Sequence, residues 1–192
     1  MKRNIFCTIV IAFMLPIQCS IGQVNNPLAQ VRNTISSSLV CGLYSSYFGG
    51  PRAQAINDIV YDASGNYYIV GDMDPGGTIL VTSGAFQSSP AGMGDAFISK
   101  FTSDHRMVWS TYFGGSDWDD AEGIIIDDGF LYIVGSTGSD DFPVTSGAYQ
   151  MTNAGQADGF LIKMDTSGQR IWATYIGGSQ MERIFDVAVM NT

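Results

Sequence analysis

Carboxylates crowd two short stretches of this 192-residue chain, and closely spaced carboxylates are what hard-cation binding and acid–base hydrolysis require. The stretch GSDWDDAEG holds Asp117, Asp119, Asp120 and Glu122, and GSDDFP holds Asp140 and Asp141. Such oxygen donors on a loop suit calcium, with Asp117, Asp119 and Asp120 as the candidate ligands. They also suit the acid/base pair of a glycoside hydrolase, with Asp119 and Asp120 as the pair to test. The plainer reading is a solvated acidic turn. The spacing matches no EF-hand loop, and the corresponding stretch GGPRAQAIND carries few acids.

Other chemistry lacks its parts. The one histidine, His105, sits in the turn TSDHRM, so Ser/His/Asp and Cys/His triads and histidine-rich zinc sites have no second member to draw on. Cys41 precedes Gly42 and reads as a small buried hydrophobe. No catalytic or cofactor-binding residue is assigned, and no cofactor is expected beyond the calcium alternative.

The elements that must position these residues are repeats. YSSYFGGP begins at Tyr44, WSTYFGGS at Trp109 and WATYIGGS at Trp172, 65 and then 63 residues apart. Between them VTSGAFQ (from Val81) matches VTSGAYQ (from Val144), and GDAFISKF (from Gly94) matches ADGFLIKM (from Ala157). The recurring positions Tyr47, Gly49 and Gly50, then Trp109, Tyr112, Gly114 and Gly115, then Trp172, Tyr175, Gly177 and Gly178 read as structural. The glycine pairs are expected to turn the chain at positive φ. DASGN (Asp62 to Asn66) and DTSGQ (Asp165 to Gln169) read as hairpin turns closed by side-chain oxygens on local amides.

Short runs of β-branched and aromatic residues bounded by Gly, Asp, Asn and Ser predict an all-β chain without a helical face after residue 35. In the middle period four strands are expected: Ala96 to Phe101, Met107 to Phe113, Gly123 to Asp127 and Leu131 to Gly135. Repeat one offers Leu43 to Phe48, Asn57 to Asp62 and Tyr67 to Asp72. Repeat three offers Gly159 to Met164, Ile171 to Ile176 and Phe185 to Met190. Four antiparallel strands per period suggest β-propeller blades, with Phe97, Phe160, Trp109 and Trp172 packing one blade on the next. The fold class is thus an incomplete β-propeller of about two and a half four-stranded antiparallel blades. Its periods are drawn at 43–94, 95–157 and 158–192.

The ordered set W(S/A)TY(F/I)GGS, YIVG, DFPVTSGAYQ and DGFLIK resembles the SBBP repeat, a family of bacterial β-propeller repeats found in exported and surface proteins. The resemblance covers roughly residues 43–192, and DFPVTSGAYQ (Asp141 to Gln150) is a close match. Repeat one departs from it: TILVTSGAFQ from Thr78 lacks the Phe-Pro element, which puts the first connection between blades in question. The resemblance implies a structural or binding module and brings no shared catalytic residues.

The first 22 residues carry Lys2 and Arg3, an apolar run from Ile5 to Ile17, and small residues before Gln23, the pattern of a secretory signal peptide. Lipidation at Cys19 is the alternative, opposed by the bulky Gln18. A lead-in of residues 23–42 follows. Removing the leader takes away two basic residues and no acidic ones, so the formal net charge of −9 becomes more negative still. That excludes nucleic acid and anionic lipid as natural partners and leaves a protein or a glycan polymer at the cell surface. Closing a propeller takes ~4 to 8 blades. The expectations are therefore a homo-oligomer that completes a ring, a chain cut from a longer gene product or a partial propeller of marginal stability, the second favoured by the stop inside a repeat.

The function expected is a non-catalytic binding or scaffold module, exported to the cell surface or beyond. A secreted propeller glycoside hydrolase using loop carboxylates is the alternative.

Overall fold

The computed structural model describes residues 9–11 and 44–190. Apart from residues 9–11, the expected signal peptide, the 23–42 lead-in and all three cysteines lie outside the described residues. The chain divides into two compact units. In the smaller, residues 8–47, strand β1 (Ile9–Ile11) pairs antiparallel with β2 (Tyr44–Ser46).

The larger unit holds two four-stranded antiparallel meanders, sheet one and sheet two. Sheet one runs β3 (Gln54–Tyr61), β4 (Tyr67–Met73), β5 (Ala96–Phe101) and β6 (Met107–Phe113). Sheet two runs β7 (Asp119–Asp127), β8 (Phe130–Thr137), β9 (Asp158–Asp165) and β10 (Arg170–Ile176). The described residues contain no helix, and none of their elements is long and apolar enough to cross a membrane as one. These are propeller-like repeats whose sheets do not close into a ring.

The grouping of strands corrects the sequence reading. The four strands expected in the middle period belong to two sheets: β5 and β6 finish sheet one, whereas β7 and β8 begin sheet two. A repeat length sets the spacing of strands but not where a sheet starts. The start is set at the glycine pair, where the chain leaves the outer strand β6 and crosses to β7. There Asp119 N–H donates to Gly94 O at 2.9 Å, and Glu182 N–H to Ala157 O at 2.8 Å repeats the arrangement one period later.

The expected strand Phe185 to Met190 does not form; past a single bridge between Met181 and Ala157, residues 182–190 have no strand structure. By the repeat this segment corresponds to β3 and β7, and it follows the same crossing. No sheet partner equivalent to β4 or β8 lies beside it among the described residues, so its main chain has no ladder to join.

The core lies between the sheets. Ile98 and Phe113 from sheet one meet Phe160, Ile162, Met164 and Tyr175 from sheet two, all fully buried. Phe142, in the connection after β8, wedges between Phe113 and Phe160 at ring-centroid distances of 5.3 and 4.7 Å. Both YIVG glycines are needed for close approach. A Cβ on Gly71 would stand 1.9 Å from Ala55 O and 2.9 Å from the Phe97 ring; on Gly135 it would stand 1.9 Å from Asp120 O and 2.8 Å from Phe160.

The hairpin turns form as expected. Asp62 Oδ1 accepts from the amides of Ser64 (2.9 Å) and Asn66 (3.0 Å), and Asp165 Oδ1 from those of Ser167 (2.9 Å) and Gln169 (3.0 Å). The missing Phe-Pro element of repeat one changes little, because the bond it would make uses the main chain. Ile79 N–H donates to Tyr112 Oη at 3.0 Å, as Phe142 N–H does to Tyr175 Oη at 3.1 Å.

Candidate functional site

The conspicuous glycine strings and acids meet at the crossing between sheets. Of the six paired glycines only Gly49 has positive φ, at 125°, which corrects the expectation for the other five. At Gly114 and Gly115 crowding decides instead. A Cβ on Gly114 would lie 2.6 Å from Asp119 Oδ2 and 2.8 Å from Asp95 Oδ1, and one on Gly115 would lie 2.4 Å from Asp141 Oδ1.

Each copy ties its second glycine to a side chain four residues on. Gly50 N–H donates to Gln54 Oε1 (3.2 Å), Gly115 N–H to Asp119 Oδ2 (2.7 Å) and Gly178 N–H to Glu182 Oε2 (2.8 Å). Gln, Asp and Glu perform one task, so the acceptor does not have to be charged.

A second clip repeats as faithfully. Gln87 Oε1 accepts from Gly114 N–H (3.0 Å) while its Nε2 donates to Asp95 (3.1 Å), whose Oδ2 also accepts from Ala91 N–H (2.6 Å). In the next copy Gln150 bridges Gly177 N–H (2.9 Å) and Asp158 (2.5 Å), and Asp158 accepts from Ala154 N–H (3.0 Å). Neither glutamine is among the residues expected from the sequence, although each closes the recurring VTSGA(F/Y)Q string. That recurrence of a polar residue outside any strand was the available signal.

The calcium candidates do not converge. Asp119 is fully buried, accepting also from Ser139 Oγ at 3.0 Å, and its other oxygen has no partner among the described residues. Burial pushes its carboxyl up to about 7, against the lowering by its neighbours Thr137, Gly115 and Ser139. Asp120, next along β7, faces the other way and pairs with Arg183 Nη2 at 3.3 Å. Asp117 Oδ1 accepts from the amide of Trp118 at 2.9 Å. Among the described residues no group of three His, Cys, Asp or Glu side chains is arranged to hold a metal.

Asp119 and Asp120 therefore cannot flank one glycosidic bond, since adjacent strand residues project to opposite faces. Asp141 Oδ1 accepts from the amide and hydroxyl of Ser116 (2.7 and 3.0 Å), which hold its carboxyl below the usual range despite some desolvation. His105 stands beside Tyr67, Nδ1 to Oη at 3.4 Å, in a turn away from these acids.

A smaller acidic group lies on the inner strands. β3 and β7 carry matching bulges at Asn57 and Glu122, and a bulge re-aims the extra side chain. Asn57 Nδ2 reaches Asp72 (2.8 Å) and Ala121 O (2.9 Å); Glu122 takes Arg183 Nη2 at 2.6 Å. Burial raises the carboxyls of Asp72 and Asp120; Glu122 and Asp74 raise Asp72 further and Asp72 and Glu122 raise Asp120, while Arg183 lowers both and the Asn57 hydrogen bond lowers Asp72. The arrangement is an ion-paired cluster satisfied by its own chain.

Among the described residues, a groove of about 650 Å³ lies open on the face of sheet two away from sheet one. Trp172, Leu161, Ile176 and Tyr149 line it, together with the turn Thr145–Ala148. Tyr47, expected to match Tyr112 and Tyr175, is 72% exposed, whereas those two are buried at 2% and 0%. Burial raises the Tyr175 hydroxyl to about 12, and that hydroxyl donates to Ser139 O at 2.7 Å.

Two antiparallel four-stranded sheets packed face to face, clipped at each crossing by the same bonds, define a tandem β-propeller-type repeat protein. Residues 108–143 match the model of the SBBP family, described as a beta-propeller repeat. The matched span runs from β6 of sheet one through β7 and β8 of sheet two, so it follows the sequence period across the sheet junction. No curated protein matches the chain.

Proposed function

We propose that the chain is a non-catalytic binding or scaffold module of β-propeller type, exported to the cell surface or the extracellular space, with a protein or glycan polymer as partner. The observation that carries this reading is the copy-by-copy use of the carboxylates. Asp95, Asp119 and Asp158 each accept from groups of the loops next to their own strand, and a neutral glutamine, Gln54, fills the place of Asp119 in sheet one. A catalytic carboxylate is expected to break such symmetry. The open groove on sheet two supplies an apolar surface for binding.

The reading is tested by screening the mature protein for turnover of a panel of glycans. No hydrolysis is expected. Reproducible hydrolysis abolished by Asp119→Asn or Asp120→Asn overturns it. Export is tested by N-terminal sequencing of the protein recovered from the extracellular and surface fractions, where a start at Gln23 is expected and an intact Met1 is the contrary result.

A further inference from the structure

Sheet one carries the same groove as sheet two, and there it is filled. Its counterparts of Tyr149, Leu161, Trp172 and Ile176 are Phe86, Ile98, Trp109 and Phe113. Sheet two covers them: its inner face and Phe142 lie on Ile98 and Phe113, and its β9–β10 hairpin, DTSGQR from Asp165 to Arg170, lies on Trp109 and Phe86. Trp109 Nε1–H donates to Thr166 O at 3.1 Å, and Lys100 Nζ donates to the same oxygen at 3.0 Å. Gly168, at φ 92°, lies flat on the indole: a Cβ there would stand 3.0 Å from Trp109 Cδ2. The Arg170 guanidinium sits 4.7 Å from the Phe86 ring centroid and donates to Pro143 O.

Filling changes exposure at the positions around the indoles, Trp109 and Trp172 themselves both being half-buried. Ile98 and Phe113 are at 0%, whereas Leu161 is half-buried and Ile176 stands at 36%. Phe86 is 38% exposed and Tyr149 89%. The receptor set is otherwise kept, since Lys163 and Tyr132 occupy the places of Lys100 and Tyr68. Lys163 Nζ lies over the rings of Phe130 and Tyr132, at 4.0 and 5.2 Å.

We propose that the groove of Trp172, Tyr149 and Leu161 is a docking site for a β-hairpin of a partner protein, one that presents a glycine to the indole and, two residues later, an arginine to the tyrosine ring. This rests on the reading of the chain as a binding module and names what that module binds. The interface inside the molecule continues to this groove: the equivalent residues, one period earlier, hold a hairpin of that chemistry as part of the contact with sheet two. An arginine also suits a chain with formal net charge −9.

A second copy of this chain does not supply the hairpin. Its DTSGQR turn is already seated on its own sheet one. Its other equivalent turn, Thr102 to Arg106, has His105 where Gly168 stands and Met107 where Arg170 stands. A β-carbon at that glycine position presses on the indole, and methionine brings no charge to the tyrosine face.

The test is titration of the full mature chain with a cyclised peptide MDTSGQRI, the sequence of residues 164–171, followed by the indole N–H resonances. The Trp172 resonance, identified by its loss in Trp172→Phe, is expected to shift saturably while those of Trp109 and Trp118 stay in place. Replacing the peptide's arginine by alanine is expected to weaken binding about two- to fivefold, the worth of an exposed cation–π contact. Replacing its glycine by histidine is expected to abolish binding. These variants lie in the probe, so folding of the protein does not confound them.

Absence of any Trp172 shift at millimolar peptide overturns the proposal, as does equal binding by a scrambled peptide. So does a light-scattering dimer that Trp172→Ala returns to monomer. A negative peptide titration leaves the glycan-turnover result untouched, so the two readings fail separately.

Discussion

Sheet one and sheet two have nearly the same sequence pattern and the same four-strand order, yet among the described residues one has its outward aromatic face covered and the other does not. Phe113 ends β6 fully buried, against Phe86 and Phe142 at 4.9 and 5.3 Å. Ile176 ends β10 at 36% exposure. The difference teaches that burial in this fold is not a property of a sheet but of the pair it forms with the next one. A residue type conserved between copies can therefore be core in one and surface in the other.

The largest test of that contrast compares Phe113→Ala with Ile176→Ala by urea unfolding. The first leaves a cavity between the sheets and is expected to lower stability by about 3–5 kcal/mol. The second removes a half-exposed side chain and is expected to lower it by about 1 kcal/mol. Equal losses would mean that sheet two's face is covered after all.

Next in size is a pH effect centred on the second crossing. Asp119 has its folded pKa raised to about 7, above the unfolded value, so the folded state holds a proton that the unfolded state gives up. Its stabilising contribution is present below about pH 4 and is lost as pH rises through about 7, with a limit on the order of 4 kcal/mol. Asp119→Asn is expected to flatten most of that slope in unfolding free energy between pH 4 and 8. Gln54, neutral in the same position of sheet one, already shows an uncharged side chain accepting the glycine amide. An unchanged slope in Asp119→Asn would place the titration elsewhere.

The smallest contrast is between the two indoles. Trp109→Phe loses the hydrogen bond to Thr166 O and is expected to lower stability by about 1 kcal/mol. Trp172→Phe is expected to change it by a few tenths, because the ring lines an open groove. Denaturant midpoints at constant m-value check both.

Most individual strands could be read before the fold was seen. β4, β5 and β6 fall within a residue of the runs Tyr67 to Asp72, Ala96 to Phe101 and Met107 to Phe113, because alternation and turn residues act over a few positions. Their grouping could not, since which strands share a sheet depends on pairings across the crossing at Gly114 and Gly115. The strand expected at Phe185 to Met190 shows the same limit: the local pattern is strand-like, but a strand needs a neighbour.

The site was less legible still. The acids of GSDWDDAEG looked like one cluster on a loop, yet β7 begins at Asp119 and sends Asp119 and Asp120 to opposite faces. Gln87 bonds Gly114 across 27 residues, a distance at which spacing along the chain carries no signal. Only comparison among copies, with Gln54, Asp119 and Glu182 in register, points to a shared structural role.

The most direct measurement of the central claim is hydrogen exchange of the indole N–H groups of Trp109 and Trp172 in the mature protein without a partner. Protection of Trp109 close to that of the strand amides, with rapid exchange at Trp172, is the predicted result. Equal protection of the two indoles, or faster exchange at Trp109, would contradict a covered groove on sheet one and an open one on sheet two.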